Sequence, residues 1–228
     1  MLRHGNVMKS CNQRSTISGF TLIELLVAIS VMALLAILSW RGLDGMGRAQ
    51  SQIQARADEV LTLQASLAQW KTDLDGIINV PGTTGLDWDG RVLRITRQGG
   101  ASAGDGLRVV AWTRALTSNG LWLRWQSPPL STPAAWQASW LQAAQWAQSP
   151  GNAQQPYQVA IMPLVDWQLF YFRGETWSNP LSSTGTTGNP QPAVPEGIRV
   201  VLTLPPDAAL SGRLVLDWVR PDINAGRS

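Results

Sequence analysis

The chain has 228 residues, enough for one domain and an appended segment, and its formal net charge at neutral pH is +3. Arg3, Lys9 and Arg14 precede Gly19 in a leader without acidic residues, so 18 − 3 = 15 basic residues balance the 15 acidic ones in the rest of the chain. Because that remainder is neutral and its arginines alternate with apolar residues, the composition argues against nucleic-acid binding.

The only cysteine and the only histidine, Cys11 and His4, also lie in the leader. Without the leader, the chain can form no internal disulfide, no Cys/His zinc site and no Ser-His-Asp triad. The groups that remain are carboxylates, hydroxyls and backbone carbonyls, which suit calcium binding or acid–base chemistry. The start codon is open, since Met8 would give a shorter leader than Met1.

A run of 21 residues from Phe20 to Trp40 contains Glu24 as its only charge. As a helix that rises 1.5 Å per residue, this run is about 30 Å long, the thickness of one bilayer core. We therefore predict a transmembrane helix at 20–40, with a cytoplasmic N-terminus because of the basic leader. Secretory cleavage is not favoured, because Trp40 and Arg41 stand where a signal peptidase requires small residues.

The sequence around Glu24, SGFTLIELLVAISVMALLA, resembles the class III signal of type IV pilins and type II secretion pseudopilins. Gly19, Phe20, Thr21 and Glu24 match the pattern of that family. The resemblance implies a leader of residues 1–19 that prepilin peptidase removes between Gly19 and Phe20, followed by N-methylation of Phe20. It also implies a single-pass inner-membrane protein whose C-terminal domain is periplasmic.

The same resemblance assigns Glu24 a role in assembly, through an ion pair with the N-terminal amine of a neighbouring subunit. A lone charged carboxylate in the bilayer core is unfavourable by about 3 kcal/mol on insertion scales. Two buried charges that each carry such a penalty offset one another when they meet. The charge thus favours an assembled state over an isolated monomer. The alternative is a glutamate that reaches the membrane edge without a partner.

The helix is predicted to continue beyond the membrane as an amphipathic segment at 41–76. Apolar residues recur every seven positions and indicate a face that packs on the globular domain or on a partner helix. These residues are Met46, Ile53, Val60, Leu67 and Leu74. Three glycines between 42 and 47 each disfavour a helix by about 1 kcal/mol and predict a partly unwound junction. The Asp75-Gly76 sequence predicts the end of the helix.

Residues 77–228 are predicted to form a β-rich domain of six or so strands. β-Branched and aromatic residues between turn sequences mark the strands. The predicted strands are 91–97, 107–113, 121–126, 166–173, 197–204 and 212–219. A short helix is predicted from Pro133, within a tryptophan-rich insertion at 128–155. The polar, Pro/Gly-rich segment 178–197 predicts a loop.

One long helix followed by antiparallel strands is the α+β plan of pseudopilins, in which the helix packs on antiparallel β-sheets. The later segments are most similar to the J-type minor pseudopilins of the general secretion pathway. The segments that carry this similarity are DGLRVVAWTR with NGLWLRW, LVDWQLFYFRGETWSNPL, VPEGIRVVLTL and GRLVLDWV. The resemblance implies a non-enzymatic subunit that joins the I- and K-type minor pseudopilins, with or without the H-type, at the pseudopilus tip. The tryptophan-rich insertion departs from the pattern.

Two aspartate pairs, Asp73 with Asp75 and Asp87 with Asp89, precede glycines as in short pieces of calcium loops. Neither stretch supplies the later bidentate acid of an EF-hand, and Asp-Gly is also ordinary turn composition. We predict no cofactor, with these four aspartates as weak calcium candidates. Two alternative functions stay open: a minor pilin of a type IV pilus or competence apparatus, and a membrane-anchored periplasmic hydrolase with two carboxylates across a cleft.

The chain has 12 tryptophans against two tyrosines and three phenylalanines, and their positions predict different environments. Tryptophans on predicted strands are expected in the core. These are Trp112, Trp122, Trp167 and Trp218. Tryptophans on the polar insertion are expected to be exposed on a partner surface. These are Trp136, Trp140 and Trp146. Trp40, at the end of the apolar run, is expected at the membrane interface.

Overall fold

The computed structural model describes residues 19–100, 106–115, 120–148, 157–182 and 194–221. Nearly all of the predicted leader, the end of the tryptophan-rich insertion and most of the predicted loop at 178–197 lie outside these residues. In the described part the helices are α1 (Leu22–Asp75) and α2 (Pro133–Gln148). The strands are β1 (Leu86–Trp88), β2 (Val92–Gln98), β3 (Leu107–Ala115), β4 (Leu121–Gln126), β5 (Gln158–Pro163), β6 (Asp166–Arg173), β7 (Thr176–Ser178), β8 (Gly197–Leu204) and β9 (Gly212–Val219).

The strands form two antiparallel sheets, which confirms the predicted α+β class. The five-stranded sheet has the order β1-β2-β3-β4-β5, and the four-stranded sheet has the order β7-β6-β8-β9. The six predicted strands correspond to β2, β3, β4, β6, β8 and β9, and α2 begins at Pro133 as predicted. Strands β1, β5 and β7 were not predicted.

The chain divides into two compact units, Met1–Ile53 and Gln54–Ser228. Every described residue of the first unit is exposed, and from Leu22 onward this unit is helical. The helix is continuous across the three glycines at 42–47, so the predicted unwound junction is wrong. Helix propagation is cooperative, so an interruption would remove several backbone hydrogen bonds. Their loss would be less favourable than the small free-energy penalty of each glycine.

In the second unit, the end of α1 presents one buried face. Its buried residues are Leu63, Ser66, Trp70, Asp73 and Leu74. Their spacing of three and four positions places them on one side of the helix. Of the predicted seven-residue repeat, Leu74 is buried, and Val60 and Leu67 are half-buried. Met46 and Ile53 are 72% and 69% exposed, so a partner-helix role for them stays a prediction.

The first core lies between α1 and the two sheets. Trp70 packs edge-on against Trp112 and Trp167 with ring centroids 5.4 and 6.2 Å apart, and Trp112 lies 4.5 Å from Trp122. Aromatic pairs at such distances contribute beyond their buried area. The four tryptophans predicted as core residues are buried, which confirms that prediction.

The second core lies on the opposite face of the five-stranded sheet, under α2. Alternation along β3 divides its side chains between the two cores: Val110 and Trp112 join the first, and Val109 and Ala111 join the second. A strand that is buried on both faces therefore explains the continuous apolar run in the middle of β3.

The tryptophans of α2 are buried in this second core, so the prediction that they are exposed is wrong. Trp136, Trp140 and Trp146 are 7%, 9% and 1% exposed. Together with Ala143 they recur every three or four positions, which places them on one helix face despite the glutamines and serine between them. The indole N–H of Trp136 donates to Thr96 Oγ1 at 2.9 Å, so the burial leaves that polar atom satisfied.

We expect Trp146→Ala to lower the free energy of unfolding by about 3–5 kcal/mol, because it leaves a cavity under α2. It also removes the indole that donates to Gln158 Oε1 at 2.6 Å. Urea unfolding of the full-length protein in detergent, followed by near-ultraviolet circular dichroism, measures the change. Leu141→Ala is the control, since Leu141 lies on the same helix but is 55% exposed. Equal losses for the two variants would contradict the packing of α2.

Candidate functional site

Gly19 and Phe20 lead into α1, and Thr21 caps the start of this helix. The carbonyl of Thr21 accepts the amides of Glu24 and Leu25 at 3.1 and 3.2 Å, and its Oγ1 lies 3.4 Å from the Glu24 amide. Threonine followed three residues later by glutamate is the capping-box pattern. Thr21 thus starts the helix, and Glu24 lies in the first turn, where the helix dipole favours negative charge. This role was not predicted, although the sequence carries its signal.

Gly19 and Phe20 precede this cap and are exposed, with Phe20 84% exposed. Cleavage between them would therefore create an amine immediately before the helix. Glu24 is also exposed. The predicted cleavage, methylation and assembly roles of these residues stay predictions at this point.

The N-terminal half of α1 fits a single-pass membrane anchor. In the described part of the chain, α1 is the one helix long and apolar enough to cross a membrane, and its most apolar stretch is fully exposed. Its large apolar side chains between Phe20 and Trp40 are all exposed. A helix that is apolar on all sides requires burial in protein or in lipid.

Asp73, predicted as a weak calcium candidate, is fully buried and accepts hydrogen bonds from three strands of the five-stranded sheet. On β4, Arg124 Nε and Nη2 donate at 2.7 and 2.9 Å; on β3, Trp112 Nε1 donates at 2.9 Å. Arg97 on β2 also donates to Asp73 Oδ1, and Gln69 Nε2 on α1 lies 3.0 Å from the same oxygen. Sequence reasoning found the aspartate but none of these partners.

This network of Asp73, Arg97, Arg124 and Trp112 fixes the end of α1 to the sheet. Charge-assisted hydrogen bonds of this kind are shorter and stronger than neutral ones. Two guanidinium groups lie next to the carboxylate, and their positive charges would repel a calcium ion. The geometry thus favours a structural role for Asp73.

Asp75 connects the same helix end to the other sheet. Trp218 Nε1 on β9 donates to its Oδ1 at 2.8 Å, and Lys71 Nζ lies 2.5 Å from its Oδ2. Burial raises the pKa of Asp75, but the hydrogen bonds from Lys71 and Trp218 outweigh burial and place the pKa below its ordinary value. The two aspartates of the sequence TDLDG therefore hold α1 to both sheets.

The second aspartate pair also has local partners. Asp87 on β1 forms an ion pair with Arg94, which lies opposite it on β2. Asp89 Oδ1 accepts the amides of Arg91 and Val92 at 2.9 and 2.8 Å, as in an Asx turn. Within the described residues, no group of three or more His, Cys, Asp or Glu side chains is placed to hold a metal ion.

A cleft of about 610 Å³ lies between α1 and the turn that joins β8 to β9. Three carboxylates line it, Asp58, Glu59 and Asp207, and the rest of its lining is mainly apolar. Glu59 Oε2 accepts the amide of Ala209 at 2.7 Å, so this acid holds the turn in place. The four aspartates predicted as weak calcium candidates do not line this cleft.

Residues 14–40 match the prokaryotic N-terminal methylation motif. The match spans the end of the leader, the predicted cleavage position and the apolar run to Trp40. It indicates a type IV pilin-like signal, with processing by a prepilin peptidase and assembly with pilin-like subunits. Comparison with curated proteins finds no match to the chain.

Proposed function

We propose that this protein is a minor pseudopilin of a type II secretion system, most similar to the J-type. The observation that carries the proposal is the methylation motif at 14–40, which includes an exposed apolar run from Phe20 to Trp40 with the single charge Glu24. The α+β unit that follows in the sequence supports it, because a long helix and antiparallel sheets together are the pseudopilin plan. The similarity of the segments around β3, β6, β8 and β9 to J-type sequences favours that type.

The proposed mechanism is mechanical and uses no catalysis. Removal of the leader leaves an amine on Phe20 directly before the Thr21 cap. In the membrane, Glu24 of one subunit neutralises this amine on its neighbour, and each ion pair offsets the desolvation of both charges. Asp73 and Asp75 hold the two sheets on the end of α1, so the globular unit follows that helix end during assembly.

In this proposal the subunit is an inner-membrane protein with a cytoplasmic N-terminus and a periplasmic domain. Its partners are the I- and K-type minor pseudopilins, with or without the H-type, and together they support export of folded proteins across the outer membrane. A minor pilin of a type IV pilus is the second candidate, since the motif at 14–40 serves both systems. A hydrolase gains no support from the four predicted aspartates, because each binds helix, strand or turn partners.

Co-expression with prepilin peptidase tests the signal. We expect mass spectrometry to find a mature chain that begins at N-methylated Phe20, because the cleavage point lies in an exposed segment before the helix. Gly19→Val should retain the leader, since it adds a branched side chain at the cleaved bond. An intact leader on the unchanged protein would contradict the assignment of the signal.

Co-purification tests the assignment to the tip complex. The full-length protein, solubilised in detergent, is mixed separately with I-, K- and H-type minor pseudopilins and with minor pilins of a type IV pilus. We expect capture of an I- or K-type partner. Capture of type IV minor pilins alone would contradict the secretion assignment and leave the methylation signal intact.

A further inference from the structure

The outer edge of β9 differs from the other three sheet edges in the described part of the chain. Strands β1 and β7 are three residues long, and β5 ends in Pro163 and has a register shift against β4. These are common protections against edge-to-edge pairing. Strand β9 has eight residues, pairs with β8 over its whole length without a shift, and contains neither proline nor lysine.

The alternation of β9 shows which backbone groups face its open edge. The Arg220 amide donates to the Glu196 carbonyl at 2.9 Å, and the Trp218 carbonyl lies against Gly197. Even-numbered residues therefore direct their backbone groups toward β8. In a regular antiparallel strand the odd-numbered residues direct theirs the other way. These are Arg213, Val215, Asp217 and Val219. Among the described residues no strand pairs with this edge of β9, so these donors and acceptors are open to a further strand.

The sequence of β9 complements itself in antiparallel order around Val215. In that register Arg213 lies opposite Asp217 of the second strand, and Leu214 lies opposite Leu216. Because Val215 would face its own copy, both central residues contribute outward backbone groups and form a hydrogen-bonded pair. Val215 is 51% exposed, and Leu214 and Leu216 are half-buried at the margin of the first core. The pairing would cover all three.

We propose that β9 pairs with β9 of a second copy of this chain, antiparallel about a two-fold axis at Val215. The two four-stranded sheets then become one sheet of eight strands. Two Arg213–Asp217 pairs form across the axis, and opposite charges directly across antiparallel strands are stabilising. Arg199 already holds Asp217 through two hydrogen bonds of 2.7 Å, so this carboxylate is ordered for a second cation. The inference does not depend on the proposed function.

Cysteine cross-linking tests the pairing and its register. In the full-length protein carrying Cys11→Ser, Val215→Cys places the two thiols on residues whose Cα atoms are about 5.5 Å apart. Val219→Cys is the matched control, since Val219 is 64% exposed on the same strand. In the proposed register its copies are eight residues apart along the strand, about 27 Å. A short bis-maleimide should link the first variant and not the second. Equal linking of both, or of neither, would overturn the proposal.

Two further variants separate pairing from folding. Val215→Pro removes an amide that faces the open edge, so the hydrogen bonds from β9 to β8 are kept. Proline is tolerated on edge strands at positions of this kind. Arg213→Glu leaves the backbone unchanged and places like charges opposite Asp217. We expect at least tenfold weaker self-association of each variant in analytical ultracentrifugation, with an unchanged near-ultraviolet spectrum. Unweakened self-association of Arg213→Glu would overturn the proposal even if Val215→Pro does not fold.

Discussion

Asp73→Asn is expected to lower the free energy of unfolding by about 3–5 kcal/mol, as is typical when one partner of a buried ion pair is removed. The side chains of Arg97 and Arg124 are only 16% and 11% exposed, and each donates to Asp73. A neutral amide removes their shared counter-charge while both guanidinium groups stay largely out of water. Urea unfolding of the full-length protein in detergent, followed by near-ultraviolet circular dichroism, measures this loss.

The matched control is Asp217→Asn, which removes a carboxylate bound to Arg199 by two hydrogen bonds. Here the side chains are 33% and 41% exposed in the single chain, so water and salt screen the pair. At a protein concentration where the chain is monomeric, the loss should therefore be much smaller. A loss for Asp73→Asn no larger than that for Asp217→Asn would show that the buried network does not hold α1 to the sheet. A folded, unaltered spectrum of both variants at low urea makes the comparison valid.

The strand sequences carried enough local information to predict most of the sheets. Strands β4, β6, β8 and β9 have the predicted bounds, because each combines β-branched or aromatic residues with turn sequences at both ends. Strands β1 and β7 have three residues each, too few for alternation to stand out. They are strands because a longer neighbour, β2 or β6, offers a free edge.

The buried tryptophans of α2 and the network around Asp73 depended on tertiary structure in different ways. The spacing of Trp136, Trp140 and Ala143 indicates one apolar helix face, despite the polar residues between them. For Asp73 no local signal exists, since Arg97 and Arg124 lie 24 and 51 residues further along the chain. From the sequence alone, an aspartate at the end of a helix indicates a turn. Its buried ion pairs become visible only when the sheet that packs against the helix is known.

The membrane signal was predictable because its chemistry is local. Thr21 and Glu24 are three residues apart, and the apolar run follows without a break. The motif match at 14–40 covers these same residues. The globular unit has no comparable short motif. Its partners are therefore harder to predict from the sequence, because they bind surfaces that only the folded chain presents.

Glu24→Gln is expected to reduce assembly with partner subunits by about a hundredfold while leaving leader removal unchanged. The change keeps the size of the side chain and removes its negative charge. We propose that this charge pairs with the N-terminal amine of Phe20 on a neighbouring subunit. Quantitative cross-linking to co-expressed minor pseudopilins in membranes measures assembly, and mass spectrometry confirms the mature N-terminus. Asp44→Asn is the control, since Asp44 is an exposed carboxylate on the same helix beyond the apolar run.

The direction of this result separates pairing in the membrane from simple insertion. Removal of a charge from an apolar helix makes insertion into a bilayer easier. A loss of assembly in Glu24→Gln therefore cannot come from failed insertion. Glu24→Asp, which keeps the charge but shortens its reach, should assemble at an intermediate level. If Glu24→Gln assembles as well as the unchanged protein, the charge is not the assembly device, and the glutamate reaches the membrane edge without a partner.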